Sequence, residues 1–321
     1  MARLLDFGIV FVLTGLVAAA SASAVTPVDS GNPSAGHDPV PVWQPVRYGN
    51  PRALKLRSQV GLVVDEQRGV ILYGRDADKQ RPIASLTKLL TIMTLLDAKL
   101  SPQKVIQITD KDRDRLKHSR SSLRIGTTLT RGELMQIAIV ASDNRAAAAL
   151  ARTYPGGAGA LVRVMNTKAG MLGLEDTQVT DASGLRPGNV STARDLARLA
   201  YIARNYPDIN EWSTTARFSV VDRKSGKVLH FRNTNSLVHR PGWDIAFSKT
   251  GFTSEAGNCL LMRTTIAERS LIVVLLNSWG KFSKYGDSGR IRDWLVASER
   301  AARVQGGRAE LSPATEASLI R

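Results

Sequence analysis

The sequence predicts a mixed α and β fold: a mainly antiparallel sheet flanked by helices, with an all-helical subdomain inserted into it. Three observations carry this expectation. Short apolar runs punctuated by turn residues stand near both ends of the chain, the pattern of hairpins. Between them lies a long stretch with helical spacing and capping residues. One segment, 86–100, is apolar nearly all round, which marks a helix enclosed by other elements. Strands on both sides of a helical block imply one sheet with an insertion.

From the N-terminus, residues 1–24 read as a secretory signal. Arg3 supplies a basic start, 7–20 an apolar core too short to span a bilayer, and Ala22-Ser23-Ala24 a small-residue cleavage site. Export, to the periplasm, is the expected consequence. Residues 25–56 carry Pro27, Pro33, Pro39, Pro41, Pro45 and Pro51 with little apolar periodicity, and are expected to form a flexible lead-in. "VGLVVDEQRGVILYGRD" (60–76) predicts two strands joined near Gln67-Arg68-Gly69, and the core helix follows. Thr130 and Glu133 form a capping box ahead of "LMQIAIVA". "NRAAAALARTY" resumes helix after a break at Ser142-Asp143, and Thr192 with Asp195 opens another.

The pattern then turns to strands. "RFSVVDR" and "KVLHFR" flank Lys224-Ser225-Gly226, "DIAFSKTGFT" follows, and "CLLMRTT" can pair with "SLIVVLLNS" across Ala267-Glu268-Arg269. "IRDWLVASERAARV" (291–304) predicts a closing helix. The expected organisation is a folded domain over 57–304, a helical subdomain over roughly 101–205, and a loose tail over 305–321.

Composition narrows the chemistry. The 321 residues carry a net charge of +16, which suits anionic wall polymers or lipid headgroups as weak partners, or a plain solvated basic surface. No nucleic-acid-binding motif appears, so nucleic acid is not an expected partner. Cys259 is the only cysteine, so no intrachain disulfide can form, and its apolar setting predicts an inert packed thiol. His37, His118, His230 and His239 are scattered, and no metal or other cofactor is expected.

Ser85 and Lys88 stand at i and i+3 at the mouth of the core helix, so their side chains share a face. A serine becomes nucleophilic when a neighbouring base takes its proton, and a lysine can be that base once its pKa is lowered by burial or nearby positive charge. A lysine in a first helical turn opposes the helix dipole, a local cost of about 0.3–1 kcal/mol that function can override. The same S-x-x-K spacing recurs at Ser101/Lys104 and Ser278/Lys281, in turn-like surroundings. Only the first runs into an apolar helix. Ser142-Asp143-Asn144 follows in a break between helices, and Lys249-Thr250-Gly251 at the end of an apolar strand. Ser30-Gly31-Asn32 and Lys224-Ser225-Gly226 imitate these two elements but lie out of order or in a turn.

S-x-x-K, S-x-N and K-T-G in this order are the signature of penicillin-binding proteins and class A β-lactamases. Residues from about 57 to 300 resemble a low-molecular-mass penicillin-binding protein of the D-alanyl-D-alanine endopeptidase/carboxypeptidase family, above all "DASGLRPGNVSTARDLARL" (181–199) and "SKTGFTSEAGNCLLM" (248–262). The resemblance implies a β-lactamase/transpeptidase-like fold. It implies Ser85 as the acylated nucleophile, Lys88 as its base, Ser142 and Asn144 lining the cleft, and Lys249 and Thr250 on the substrate carboxylate. Gly251 admits close approach, and the backbone N–H groups of Ser85 and Phe252 would form the oxyanion hole. Asp143 receives no role.

By the same resemblance the partners are peptidoglycan peptides, with β-lactam antibiotics as covalent inhibitors. The wording of 248–262, and the short stretch after Gly251 with no sustained apolar face at its end, favour an endopeptidase over a carboxypeptidase. A β-lactamase is disfavoured, because Glu175 in "LEDTQ" does not match the expected deacylating glutamate. A non-catalytic wall-binding module is disfavoured because every reacting position is filled.

Overall fold

The computed structural model describes residues 41–304 and 312–313, so the signal read over 1–24 and the first half of the lead-in lie outside the described residues. The first strands are β1 (Gln44–Arg47), β2 (Ser58–Asp65) and β3 (Val70–Arg75). After the short β4 (Arg81–Pro82) comes the enclosed helix α1 (Thr87–Asp97), with every residue from Thr87 to Leu95 buried. The insertion then contains β5 (Val105–Gln107), β6 (Thr128–Thr130), α2 (Arg131–Val140), α3 (Asn144–Arg152), α4 (Gly157–Met171) and β7 (Val190–Ser191). Helices α5 (Ala193–Ala203) and α6 (Pro207–Thr214) lead to the hairpin β8 (Arg217–Val221) and β9 (Val228–Arg232). The long strands β10 (Asp244–Thr253), β11 (Gly257–Ile266) and β12 (Arg269–Ser278) precede α7 (Ser283–Val304) and β13 (Ser312–Pro313).

The main sheet has seven strands in the order β10-β11-β12-β2-β3-β1-β13, antiparallel at every junction except the parallel β1–β3 pair. Its central strands are apolar on both faces because both faces are covered. Along β12, Ile272, Val274 and Leu276 join the core shared with α1 and the inserted helices, whereas Leu271, Val273 and Leu275 join the core against α7. β2 divides in the same way, Leu62 and Val64 to one side and Val63 to the other. α7 is tied down by a buried carboxylate: Asp287 accepts from the Ser58 N–H at 2.7 Å and the Ser58 hydroxyl at 2.6 Å.

Several boundaries differ from those read in the sequence. The lead-in is not flexible from Trp43 onward. Trp43, Val46, Tyr48, Leu54 and Leu56 are buried, and the Tyr48 hydroxyl donates to Glu299 Oε1 at 2.9 Å. Prolines break the local periodicity there, but tertiary contacts bury the apolar residues between them. Ser312–Pro313 pairs with β1, so the tail 305–321 is not loose throughout. The insertion is not all-helical, since it holds the β5–β6 pair, and β7 pairs with β4. α5 falls within 101–205 yet packs on β2, β11 and β12 of the main sheet. α4 escaped notice because Gly157, Gly159 and Gly170 lower its helix propensity, and α7 begins before Ile291.

Asp287→Ala would leave the Ser58 N–H and hydroxyl, both buried, without their carboxylate. A stability loss of about 3 kcal/mol is expected, read as a lowered midpoint in urea unfolding with an unchanged slope.

Candidate active site

After β4 the chain makes a tight 3₁₀ turn, Ala84–Leu86, that feeds directly into α1. Ala84 takes a left-handed φ of 47°, and the Thr87 hydroxyl closes the corner by donating to the Ala84 carbonyl at 2.8 Å. Ser85 is carried on this corner, and Lys88 lies in the first turn of α1, fully buried. Lys88 Nζ is 2.8 Å from Ser85 Oγ, 2.6 Å from Asn144 Oδ1 and 2.6 Å from the Ser183 carbonyl. A neutral amine has two N–H groups and one lone pair. The two acceptors take the N–H groups, and the lone pair is left for the Ser85 hydroxyl proton. Burial pushes the Lys88 pKa down to about 7, against the opposing pull of Asp181, Asp143 and Asp114.

The second corner joins α2 to α3. Ser142 sits there at a left-handed φ of 55°, and Asp143 caps α3 by accepting from the N–H groups of Arg145 and Ala146, each at 2.9 Å. That cap is the role the sequence left blank. Asn144, the first residue of α3, bridges Lys88 through Oδ1 and donates from Nδ2 to Ser119 Oγ at 2.8 Å. From β10, Lys249 Nζ donates to Ser142 Oγ at 2.7 Å and to the Thr250 carbonyl at 3.0 Å. Burial first, and the Lys88 charge second, hold the Lys249 pKa well below its usual value. Thr250 Oγ1 donates to Thr234 Oγ1 at 2.6 Å, just beyond β9.

Gly251 is a close-approach glycine: a Cβ there would stand 3.0 Å from the Ile83 carbonyl oxygen and 3.2 Å from the Ser85 nitrogen. The structure therefore brings Ser85, Lys88, Ser142, Asn144, Lys249, Thr250 and Gly251 to one place. Phe252, next along β10, turns its side chain outward and is 65% exposed. The other S-x-x-K pairs lie elsewhere, Ser278 bonded to Ser58 at 2.6 Å, and Lys224-Ser225-Gly226 is the β8–β9 turn. Cys259 is a buried thiol whose pKa burial raises to about 11, which disfavours the reactive thiolate.

A model of the family described as D-alanyl-D-alanine carboxypeptidase matches residues 48–280. The chain belongs to this family of serine peptidases. The D-alanyl-D-alanine endopeptidase of Pseudomonas aeruginosa is 42% identical over 258 residues, spanning 80% of this chain and 83% of its own. That of Escherichia coli is 38% identical over 241 residues, spanning 75% and 78%. Among solved structures, a Streptomyces DD-transpeptidase superposes with a TM-score of 0.69 at 25% identity, covering 76% of this chain and 98% of that one. A Listeria monocytogenes penicillin-binding protein in its cefotaxime-bound form gives a TM-score of 0.66 at 27% identity, covering 76% and 98%. The β-lactamase/transpeptidase-like fold expected from the sequence is thus the fold of this family.

Sequence reasoning missed the loop that completes the site of this peptidase. Asp181 accepts from the Ser183 N–H at 2.7 Å, the Ser183 hydroxyl at 2.6 Å, and the N–H groups of Gly184 and Arg186, each at 2.8 Å. Burial raises its pKa, but these donors outweigh burial and hold the carboxyl below its usual range. The wrapped loop delivers the Ser183 carbonyl to Lys88. Gly184 has a φ of +83°, and a Cβ there would lie 1.9 Å from the Ala84 carbonyl oxygen. The stretch 181–199 carries the family wording, so the signal was present without its meaning. Ser119 and Thr234 carry no sequence signal.

Gly184→Ala must displace the backbone that carries Ser85. The expected outcome is a folded protein whose acylation by labelled penicillin is about 100-fold slower, since a shift near 1 Å costs about that much. Circular dichroism and acylation rate together check it.

Proposed function

We propose that the protein is a serine DD-endopeptidase that hydrolyses D-alanyl cross-links between peptidoglycan stem peptides, in the periplasm, and is acylated by penicillin. The observation that carries this reading is the Lys88 amine, 2.8 Å from Ser85 Oγ with its two N–H groups taken by Asn144 and Ser183. The signal sequence supports export. The endopeptidase relatives at 42% and 38% identity support the cross-link over a free terminus, since a carboxypeptidase relative of Bacillus subtilis matches at 31%.

The geometry, together with the roles the family resemblance implies, supports the following chemistry. Ser85 Oγ attacks the D-alanyl carbonyl carbon while its proton passes to Lys88 Nζ. The carbonyl oxygen becomes an oxyanion beside the Ser85 and Phe252 N–H groups. The carboxylate next to the scissile bond faces Lys249 and Thr250, and its charge favours the protonated form of Lys249. As the intermediate collapses the C–N bond breaks, and the leaving amine takes the proton from Lys88 by way of Ser142. Water then attacks the ester and gives a proton to Lys88; as the C–O bond to Ser85 breaks, Lys88 returns that proton to Ser85 Oγ, releasing the acid and restoring the neutral amine. With penicillin the leaving amine stays tethered to the acyl group, so the ester persists. A carboxypeptidase uses the same steps with a smaller leaving group, and the family description favours it as the second reading.

Labelled penicillin should form a stable adduct that Ser85→Ala abolishes; rapid turnover of the drug, or no labelling, would overturn the reading. The base is the neutral amine, so with a Lys88 pKa of about 7 the acylation rate constant should rise about tenfold per pH unit below that value and level above it. A profile flat from pH 5 to 8 would exclude Lys88 as the base. Purified cross-linked muropeptide dimers should be converted to monomers; release of D-alanine with dimers intact would assign the carboxypeptidase instead.

A further inference from the structure

A polar pocket of about 400 Å³ opens beside the reacting groups, lined by Asp110, Arg113, Asp114, Arg115, Ser119 and Arg145, with His118 at the same wall. It adjoins the site: Ser119 accepts from the Asn144 amide that holds Lys88, and Arg145 is the residue after Asn144. Its acidic groups are already committed. Asp110 pairs with both Arg113 and Arg115. Asp114 accepts from the N–H groups of Leu116 and Lys117, each at 2.9 Å, and of Ser119 at 3.0 Å. Burial raises the Asp114 pKa, but these bonds more than offset it and keep the carboxylate ionised. Lys117, whose N–H binds Asp114, pairs through its side chain with Glu255 beyond the end of β10.

Arg145 is left over. Its Nη1 donates to the Leu123 carbonyl, its Nε is shielded from water without a hydrogen-bond partner, and no carboxylate pairs with it among the described residues. Three guanidinium groups thus face two carboxylates, and the surplus positive charge lies on the arginine nearest Asn144. A guanidinium presents a planar fork that suits a carboxylate, and the pairing is stronger where water is partly excluded.

We infer that this pocket is a carboxylate subsite, with Arg145 as its anchor, that reads a second carboxylate of the peptide substrate, distinct from the one facing Lys249 and Thr250. The inference rests on the DD-peptidase reading above. Such a contact acts away from the reacting bond, so it selects substrates and leaves the order of chemical steps as it is.

The test uses a synthetic cross-linked dimer in two forms, with all carboxylates free, or with all amidated except the one beside the scissile bond. The wild-type enzyme should cleave the free form with a kcat/KM about tenfold higher, the difference residing in KM. Arg145→Gln should remove that preference, losing about tenfold on the free dimer and much less on the amidated dimer or on penicillin acylation. Arg145→Lys should restore part of it. Equal handling of both dimers by the wild type would overturn the subsite, as would an equal loss by Arg145→Gln on both dimers and on penicillin, which would mark Arg145 as holding Leu123 alone. Failure of penicillin to acylate the wild type would instead bring down the DD-peptidase reading beneath it.

Discussion

The rest of the site depends on one buried amine. Lys88 reaches the interior only because three separated parts of the chain converge on it: the Ser85 corner, Asn144 at the head of α3, and the Ser183 carbonyl. Burying a charged ammonium is costly, and burial lowers the Lys88 pKa to about 7. In the proposed mechanism, desolvation is therefore the device that makes a base from lysine. The first turn of α1 acts in the same direction, since its dipole disfavours a cation there. Remove any of the three partners and the amine either hydrates and charges, or loses the orientation of its lone pair.

Convergence of that kind demands rigid carriers. The sheet is covered on both faces, and α1 is enclosed along nearly its whole length, so neither Ser85 nor Lys88 can relax far. The two corners that present reacting groups, Ala84 beside Ser85 and Ser142 before Asn144, both adopt left-handed backbone without glycine. Such residues cost about 1–3 kcal/mol each and persist where the surroundings hold them in place. Here the holders are visible: the Thr87 hydroxyl at the first corner and the Asp143 cap at the second. On the far side, Gly184 and Gly251 let two further backbone segments press against the Ser85 corner, where any side chain would push it away.

The pocket at Arg145 extends the same economy of parts. In the proposed mechanism one residue pair, Asn144-Arg145, orients the base through its first member and offers a charge to the substrate through its second. The loop carrying Asp110 to Ser119 is then both a prop for Asn144 and the wall of the subsite. Binding selectivity and base orientation are neighbours because α3 begins there.

Much of this was legible in the sequence. Short-range rules fixed what depends on short range: the β2–β3 and β11–β12 hairpins, the Thr130 capping box, the start of α5 at Thr192, and the ordered motifs around Ser85, Ser142 and Lys249. What lay beyond it was set by distant contacts. The lead-in from Trp43 is ordered by burial, Trp43 against Tyr201 of α5, and Val46, Tyr48, Leu54 and Leu56 in the core against α7, a fact its prolines hide. α4 forms despite its glycines because Leu161 and Met165 face the core. Above all, three S-x-x-K pairs look alike as strings, and local spacing gives each lysine the same reach. Tertiary structure decides among them by what it packs around the amine, since desolvation is a property of the surrounding volume and not of the residue that occupies it.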